Sequence, residues 1–305
     1  MKKIYKKKFR KDKIFFLGGS SFVGKSFFEK YRNKVNLIIT YNNKKIKKYK
    51  KFNILKENIN LLIKKYGKPK TIIYAIGNSS HDFCYKNQSL SKLLNVTKAK
   101  QQIDIVKKYP DIHFIFLSSQ MVLSGQKAFS DEKCKPNPKL VYGKQKLEVE
   151  NYIKKKIKNY TILRLSKVYG TNLKDKSILT AFLKDIIKGE KIYNLAFDQF
   201  FNPLFIGDLV KILFFFHKKK FHKQVFHIGG PERISRYNLI KYFYNKLNIS
   251  QKKNVFIKRK KLNTIFKTEV NPLDTSFNIK KIKKTINFDL TSYKDSVRAI
   301  IKKLK

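Results

Sequence analysis

The chain alternates short, nearly unbroken apolar runs with longer stretches in which apolar residues return every three or four positions. Six runs read as strands: 13–18 (KIFFLG), 35–40 (VNLIIT), 70–76 (KTIIYAI), 112–118 (IHFIFLS), 160–165 (YTILRL) and 224–229 (QVFHIG). Continuous apolar runs of this length suit strands buried on both faces. Helical periodicity falls near 22–33, 56–65, 88–108, 141–158, 206–218 and 235–247. In the third of these helices Leu93, Leu94, Val96, Ile103 and Val106 predict one buried stripe. Alternation of this kind predicts an α/β fold, a doubly wound parallel sheet with helices on both faces. The alternation breaks between 171 and 200 and again after 231. Segments 171–200 and 231–305 are therefore expected to form a smaller C-terminal, substrate-binding lobe over the sheet's carboxyl edge, where open α/β sheets bind ligands. The sheet domain is then 1–170, completed by about 201–230.

Charge changes this picture less than its size suggests. The 305 residues carry 71 Lys+Arg against 20 Asp+Glu, a formal net charge of +51. Such a surface is the electrostatic footprint of phosphate binding. Yet only 7 of the cations are arginine, the fork-shaped reader of phosphates and guanine. Lys, Asn, Ile, Phe and Tyr are the residues of A/T-rich codons, and base bias accounts for the charge without a nucleic-acid partner. At 42% hydrophobic residues the chain can bury a real core. Cys84 and Cys134 form neither a metal spacing nor a disulfide framework, which suits a reducing cytoplasm. The basic start Met1–Lys13 precedes too short an apolar run for a signal peptide, and no stretch approaches the roughly eighteen apolar residues of a membrane span. A cytoplasmic protein without membrane contact is expected.

The first strand runs into Gly18-Gly19-Ser20-Ser21-Phe22-Val23-Gly24 and then a helix. Gly18 allows the tight turn, and Gly24 lets the helix approach the sheet. Backbone N–H groups across Ser20, Ser21, Phe22 and Val23 then face a pyrophosphate favoured by the helix dipole. This is the dinucleotide-binding arrangement of Rossmann-type sheets, with Ser21 standing where a middle glycine often sits. An NAD site wants an acid at the end of the second strand to hold the ribose hydroxyls. Here Thr40-Tyr41-Asn42-Asn43-Lys44-Lys45 carries none. Thr40 and Lys44 suit a 2′-phosphate instead, so NADP is the expected cofactor, with NAD open as the alternative.

Tyr142 and Lys146 lie four residues apart, on one face of a helix. An ammonium about 4 Å from a phenol, at an effective dielectric of ~20, is worth roughly 4 kcal/mol. That is about three pKa units, which predicts a tyrosine lowered toward neutrality as a general acid–base. The spacing alone decides nothing, because six Y-x-x-x-K pairs occur, at Tyr41, Tyr66, Tyr142, Tyr152, Tyr237 and Tyr242. Position decides. The 112–118 strand ends in Ser118-Ser119, at the sheet's carboxyl edge, and Tyr142 opens the helix that follows. A serine that holds a carbonyl oxygen, a tyrosine that moves its proton and a lysine that tunes the tyrosine make a complete hydride-transfer site.

With these residues in place the chain resembles the extended short-chain dehydrogenase/reductases, of the NAD-dependent epimerase/dehydratase superfamily, over nearly its whole length. GGSSFVG resembles the family's glycine loop, IIYAIG its fourth-strand segment, and Asn95-Val96 its structural asparagine. LSSQMVLSG with VYGKQKLEVE resembles its Ser…Tyr-x-x-x-Lys site, and ILRLSKVYG the strand that follows. The segment Asp198–Pro203, Asp208-Leu209, HIGGPERISRYNLI and NPLDTSFNIKKI are similar to the dTDP-4-dehydrorhamnose reductases and their sugar-nucleotide-binding relatives. The resemblance implies Ser119, Tyr142 and Lys146 as catalytic trio, with Asn95 supporting the lysine's water or the helix geometry. It implies Gly18, Ser20, Ser21, Phe22, Val23, Gly24, Ala75, Gly77, Tyr142 and Lys146 toward the cofactor. Asn53 stands where an Asp often contacts the adenine. Ser119, Gln120, Asn202 and Arg233 are implied toward the substrate.

Two further residue pairs are candidates. His81 and Cys84 follow the 70–76 strand where substrate can pass, and Arg233 with Arg236 can reach a nucleotide diphosphate. Gln120-Met121 follow Ser119 where dehydratases of the family present an acidic pair and epimerase-reductases a cysteine. Simple carbonyl reduction needs neither. The reading is an NAD(P)H-dependent reductase of a nucleotide-linked 4-keto-6-deoxy sugar, with a homodimer possible. The alternatives are an NAD-dependent nucleotide-sugar epimerase or dehydratase, and a non-catalytic NADP-binding regulatory subunit.

Overall fold

Ile14, Phe15, Phe16 and Leu17 are all inaccessible to solvent because their strand lies in the interior of a seven-stranded sheet. The computed structural model describes residues 12–172, 175, 177–188, 191–219, 221–248, 252, 255–265 and 269–304. The basic arm with Lys6, Lys7 and Lys8 lies outside the described residues. In chain order the strands are β1 (Lys13–Leu17), β2 (Asn36–Tyr41), β3 (Lys50–Lys51), β4 (Thr71–Tyr74), β5 (His113–Ser119), β6 (Tyr160–Leu165), β7 (Val168–Tyr169), β8 (Lys191–Ala196), β9 (Phe200–Phe201), β10 (Leu204–Phe205), β11 (Gln224–Ile228), β12 (Ile234–Ser235) and β13 (Val255–Lys260). The main sheet runs β11-β6-β5-β4-β1-β2-β3 and every pair in it is parallel. Strand order departs from β1 in both directions, so the crevice between β1 and β4 is the switch point where such sheets bind ligands.

The helices are α1 (Phe22–Tyr31), α2 (Ile59–Tyr66), α3 (His81–Lys86), α4 (Gln88–Lys92), α5 (Lys98–Val106), α6 (Val141–Lys156), α7 (Ile178–Lys188), α8 (Ile206–Lys218), α9 (Arg236–Asn245), α10 (Leu262–Ile265), α11 (Lys280–Thr285) and α12 (Tyr293–Lys302). Side chains alternate across a strand with a period of two, and the two cores follow that period. Ile14, Phe16, Ile39, Ile73 and Ile115 point to one face and meet α1 and α8. Phe15, Leu17, Ile72, Phe114 and Phe116 point to the other and meet α2, α5 and α6. Each buried large apolar side chain stabilises by roughly 1.5–3 kcal/mol. A third cluster joins α7, α9 and α12 around Leu179, Phe182, Leu239, Phe243 and Val297. Beside it β8 pairs with β13 in parallel and β9 with β12 antiparallel.

Two departures from the pattern have local causes. The expected helix 88–108 contains a π-helical turn, Leu93–Thr97, between α4 and α5. A π turn adds a residue and rotates the apolar stripe, which leaves Leu93 exposed while Val96, Ile103 and Val106 stay buried. The segment after β4 is not a loop throughout: Ser80 caps the short helix α3 by accepting from the Phe83 N–H at 3.2 Å. Among the described residues no helix is long and apolar enough to cross a membrane.

Candidate active site

The carboxyl ends of β1, β4, β5 and β6 open into one cleft of about 860 Å³. On the β1 side the glycine loop sets the geometry. Gly18 has φ +87°, and a Cβ there would lie 2.7 Å from the Ala75 carbonyl oxygen. A Cβ on Gly24 would lie 2.5 Å from the backbone of Gly19, so helix and loop touch backbone to backbone. Ser21 sits at an ordinary extended φ of −66° and is the N-cap of α1, its Oγ accepting from the Gly24 N–H at 3.1 Å. The serine in a glycine's place is therefore a cap, not a distortion. Ser21, Phe22 and Val23 line the cleft, and the first N–H groups of a helix have no partner within it. This cradle fits a dinucleotide pyrophosphate.

Other residues expected at the cofactor lie elsewhere or are already engaged. Thr40 is buried, and its hydroxyl accepts from the Gly18 N–H at 3.1 Å. It holds the turn instead of facing a 2′-phosphate. Lys44 is exposed and, like Ser20, Gly18 and Gly24, is not part of the cleft lining. Asn53 is tied into its own turn, its Oδ1 accepting from the Leu55 N–H at 3.0 Å. Ala75 and Gly77 do line the cleft at the end of β4.

Ser119, Gln120, Tyr142 and Lys146 converge on the opposite side. The Ser119 hydroxyl, on the same side of the cleft as Tyr142, accepts from the Met121 N–H at 3.2 Å. Lys146 donates to the Leu117 carbonyl at 2.9 Å, with its Nζ 5.9 Å from the centre of the Tyr142 ring and 4.7 Å from that of Phe116. The expected lowering of the phenol is not found. Burial pushes the Tyr142 phenol above its ordinary range, Cys84 acts the same way, and the nearby Ser119 hydroxyl only partly opposes them. Burial also draws the Lys146 ammonium down to about 8, against Glu150 and Cys84, which favour its charged form. At neutral pH Tyr142 thus holds its proton, the state a proton donor requires.

Beneath this trio runs a buried charged network. Glu150, one turn beyond Lys146, accepts from Ser118 Oγ at 2.6 Å and from Arg164 Nη2 at 2.7 Å and Nε at 3.0 Å. It locks α6 to β5 and β6. Asn95 does not reach Lys146. Its Nδ2 donates to Gln145 Oε1 at 2.7 Å and to the Asn78 carbonyl at 3.0 Å, and its Oδ1 accepts from the Asn78 N–H at 2.7 Å. It stitches the end of β4 to α6 and touches no reacting group. Cys84 is fully buried behind this stitch and does not line the cleft. His81 does line it, its ring stacked on Tyr142 with centres 5.5 Å apart. Burial first, then Lys167 and Arg236, hold the His81 imidazole down at about 4, so it is neutral near pH 7.

The residues expected at the substrate are divided. Asn202 is buried and does not line the cleft; its Oδ1 accepts from the Phe277 N–H at 2.6 Å, which joins the two segments. Arg233 pairs with Asp274 at 2.5 Å and stacks on Phe200 at 3.7 Å, which removes it as a ligand. Arg236 instead lines the cleft. The pattern missed Ser166, Lys167 and Glu269, which also line it. Ser166 and Lys167 directly follow β6, and the rule that ligands meet strand carboxyl ends is the signal that finds them. Glu269 carries no such signal; its Oε1 accepts from the Val141 N–H at 2.8 Å, at the start of α6.

Residues 12–305 match the family model described as the RmlD substrate binding domain. Among solved structures, dTDP-4-dehydrorhamnose reductase from Bacillus anthracis str. Ames in complex with NADP superposes with a TM-score of 0.82 at 16% identity, over 96% of this chain and 99% of that one. UDP-glucose 4-epimerase from Thermotoga maritima with UDP-glucose gives 0.77 at 18% identity, over 96% and 100%. At such identities the likeness is one of fold. Of the curated proteins, methionine adenosyltransferase 2 subunit beta of Xenopus laevis is 25% identical over 177 residues, 56% of this chain and 53% of its own. The chain spans about half the length of the curated relatives it matches.

Proposed function

Because the chain belongs to the RmlD substrate binding domain family, we propose that it is an NAD(P)H-dependent reductase of a nucleotide-linked 4-keto-6-deoxy sugar. The observation that carries this reading is the meeting of Ser119, Tyr142 and Lys146 in one cleft with the glycine loop. In this reading residues 1–170 with 201–230 hold the cofactor, and 171–200 with 231–305 hold the substrate. Ser21, Phe22 and Val23 at the α1 N-terminus would hold the dinucleotide, which when bound would supply the hydride. Ser119 donates a hydrogen bond to the keto oxygen and orients it. Tyr142 gives that oxygen its proton, and the Lys146 ammonium steadies the phenolate that remains. Asn95 and Glu150 keep α6 at the distance this transfer needs.

The test is turnover by the full chain with NADPH and with NADH across several nucleotide-linked 4-keto-6-deoxy sugars. Stoichiometric oxidation of the nicotinamide and reduction of the sugar are expected. Isomerisation of a nucleotide sugar without net cofactor consumption would replace this reading by an epimerase. A second reading is favoured by the matches to proteins named as a subunit: the chain binds the dinucleotide and serves a partner enzyme. Cofactor binding with no turnover of any keto sugar would decide for it.

A further inference from the structure

The proposed transfer turns on Tyr142, and Lys146, the partner expected beside it, does not hold its ring. The ammonium donates to the Leu117 carbonyl at 2.9 Å and stands 5.9 Å from the ring centre. The terminal torsion of a tyrosine is broad, so the plane of the phenol is set by what packs against it. His81 packs against this one. The two rings lie 29° from parallel with their centres 5.5 Å apart, and both residues line the cleft. That separation is within the range of offset-stacked aromatic pairs.

His81 is brought there by ties that do not involve its own side chain. It is the first residue of α3 and follows the cap Ser80. The Ser80 N–H donates to Asn78 Oδ1 at 2.9 Å, and its Oγ accepts from the Phe83 N–H at 3.2 Å. Further along α3 the buried Cys84 Sγ donates to the Asn78 carbonyl at 3.5 Å. Ser91 Oγ lies 3.3 Å from the Cys84 carbonyl and accepts from Gln145 Nε2 at 2.8 Å. Gln145 sits on α6, three residues beyond Tyr142. A buried polar chain thus pins α3 to α6, and the ring contact follows from where the two helices are held. The imidazole is neutral near pH 7, so it meets the phenol as a flat uncharged ring.

We infer that His81 is a positioning residue for Tyr142, its ring face holding the phenol in the orientation from which the hydroxyl meets the keto oxygen. The inference rests on the reductase reading for the reaction it serves. His81 acts through Tyr142 and exchanges no proton itself. A misplacement of about 1 Å at a reacting group can cost about 10²-fold in rate, so a ring free to swing is expected to lose part of that. Binding of the substrate does not depend on the ring plane, and the loss belongs to kcat.

The full chain and its His81→Ala, His81→Gln and His81→Phe variants are assayed with NADPH and dTDP-4-dehydrorhamnose. Each is also prepared with [ε-13C]tyrosine, and the Tyr142 NMR signal is assigned by its absence in Tyr142→Phe. His81→Ala and His81→Gln lack the ring and are expected to lower kcat about tenfold, with KM changed less than about twofold. His81→Phe keeps a flat uncharged ring and is expected to recover most of kcat. The upfield displacement that a stacked ring gives the Tyr142 signal is expected in the wild type and His81→Phe and lost in the other two. The inference fails if His81→Gln keeps wild-type kcat or His81→Phe does not recover it, because a ring nitrogen or mere bulk then explains the residue. It also fails if the loss lies in KM, or if the Tyr142 signal stays in place in His81→Ala and His81→Gln. Absence of turnover by the wild type overturns the reductase reading alone, and the Tyr142 signal still decides whether His81 holds the ring. If His81→Ala does not fold, His81→Gln against His81→Phe carries the test.

Discussion

On the wall of the cleft built by β1, β4 and α1, polar groups answer one another. Thr40 meets the Gly18 N–H, Ser21 meets the Gly24 N–H, and Asn95 meets both backbone groups of Asn78. On the wall built by the ends of β5 and β6 and by α9, not all of them do. Gln120 Oε1 and Ser166 Oγ are buried without a partner, and two cations, Lys167 and Arg236, line the cleft there. The shape of the first wall is a property of the backbone, and what it leaves open is the row of N–H groups at the start of α1. The second leaves polar side-chain atoms unpaired inside the fold, at some cost in stability.

This contrast can be broken at several points. The largest effect is expected at the junction of the walls, where Tyr142→Phe removes the proton donor and should lower turnover about 10²–10⁴-fold. Retention of wild-type NADPH consumption with a keto-sugar nucleotide would end the proposed mechanism. Thr40→Val leaves the Gly18 N–H unpaired and should cost about 1–3 kcal/mol of stability in denaturant unfolding, with NADP affinity falling alongside.

The pH profile separates the trio's members. Lys146 is an ammonium below about 8 and loses its proton above it. Reduction should therefore fall as pH rises through that value, approaching about tenfold per unit. Glu150 and Cys84 both favour the charged lysine, so Glu150→Gln should move the break to lower pH. A profile flat to pH 10 would separate Lys146 from the reaction.

Smaller effects sharpen the contrast. Ser21→Ala should cost about 1 kcal/mol through the lost cap, again with weaker NADP binding in a direct titration. Lys167→Gln, on the other wall, should leave the melting temperature unchanged or raise it, because it removes one of two like charges that line the cleft. A clear drop in melting temperature would show that Lys167 contributes to holding the fold.

Much of this molecule is written locally. The apolar runs around Phe15, Ile73 and Phe116 had to be buried on both sides, and that demand yields the parallel sheet. Gly18 and Gly24 mark the loop because no other residue allows those approaches. Tyr142 stood out from five equivalent pairs only through the strand that ends at Ser119. What stayed hidden depended on partners far along the chain. Nothing near Thr40 says that its hydroxyl is spent on Gly18. Nothing near Asn95 says that it reaches Gln145 and not Lys146. Arg233 and Arg236 look alike in PERISR, yet Asp274 takes one and the cleft receives the other.

The amino-acid sequence by itself determined the sheet, the glycine loop and the trio, because periodicity, backbone sterics and short spacings act over a few residues. Only the tertiary structure decided which charges are paired, as Arg233 is with Asp274, and which line the cleft, as Arg236 does. It also decided that burial outweighs Lys146 at Tyr142, since desolvation and Coulomb terms depend on every group packed around a side chain, wherever it lies in the chain.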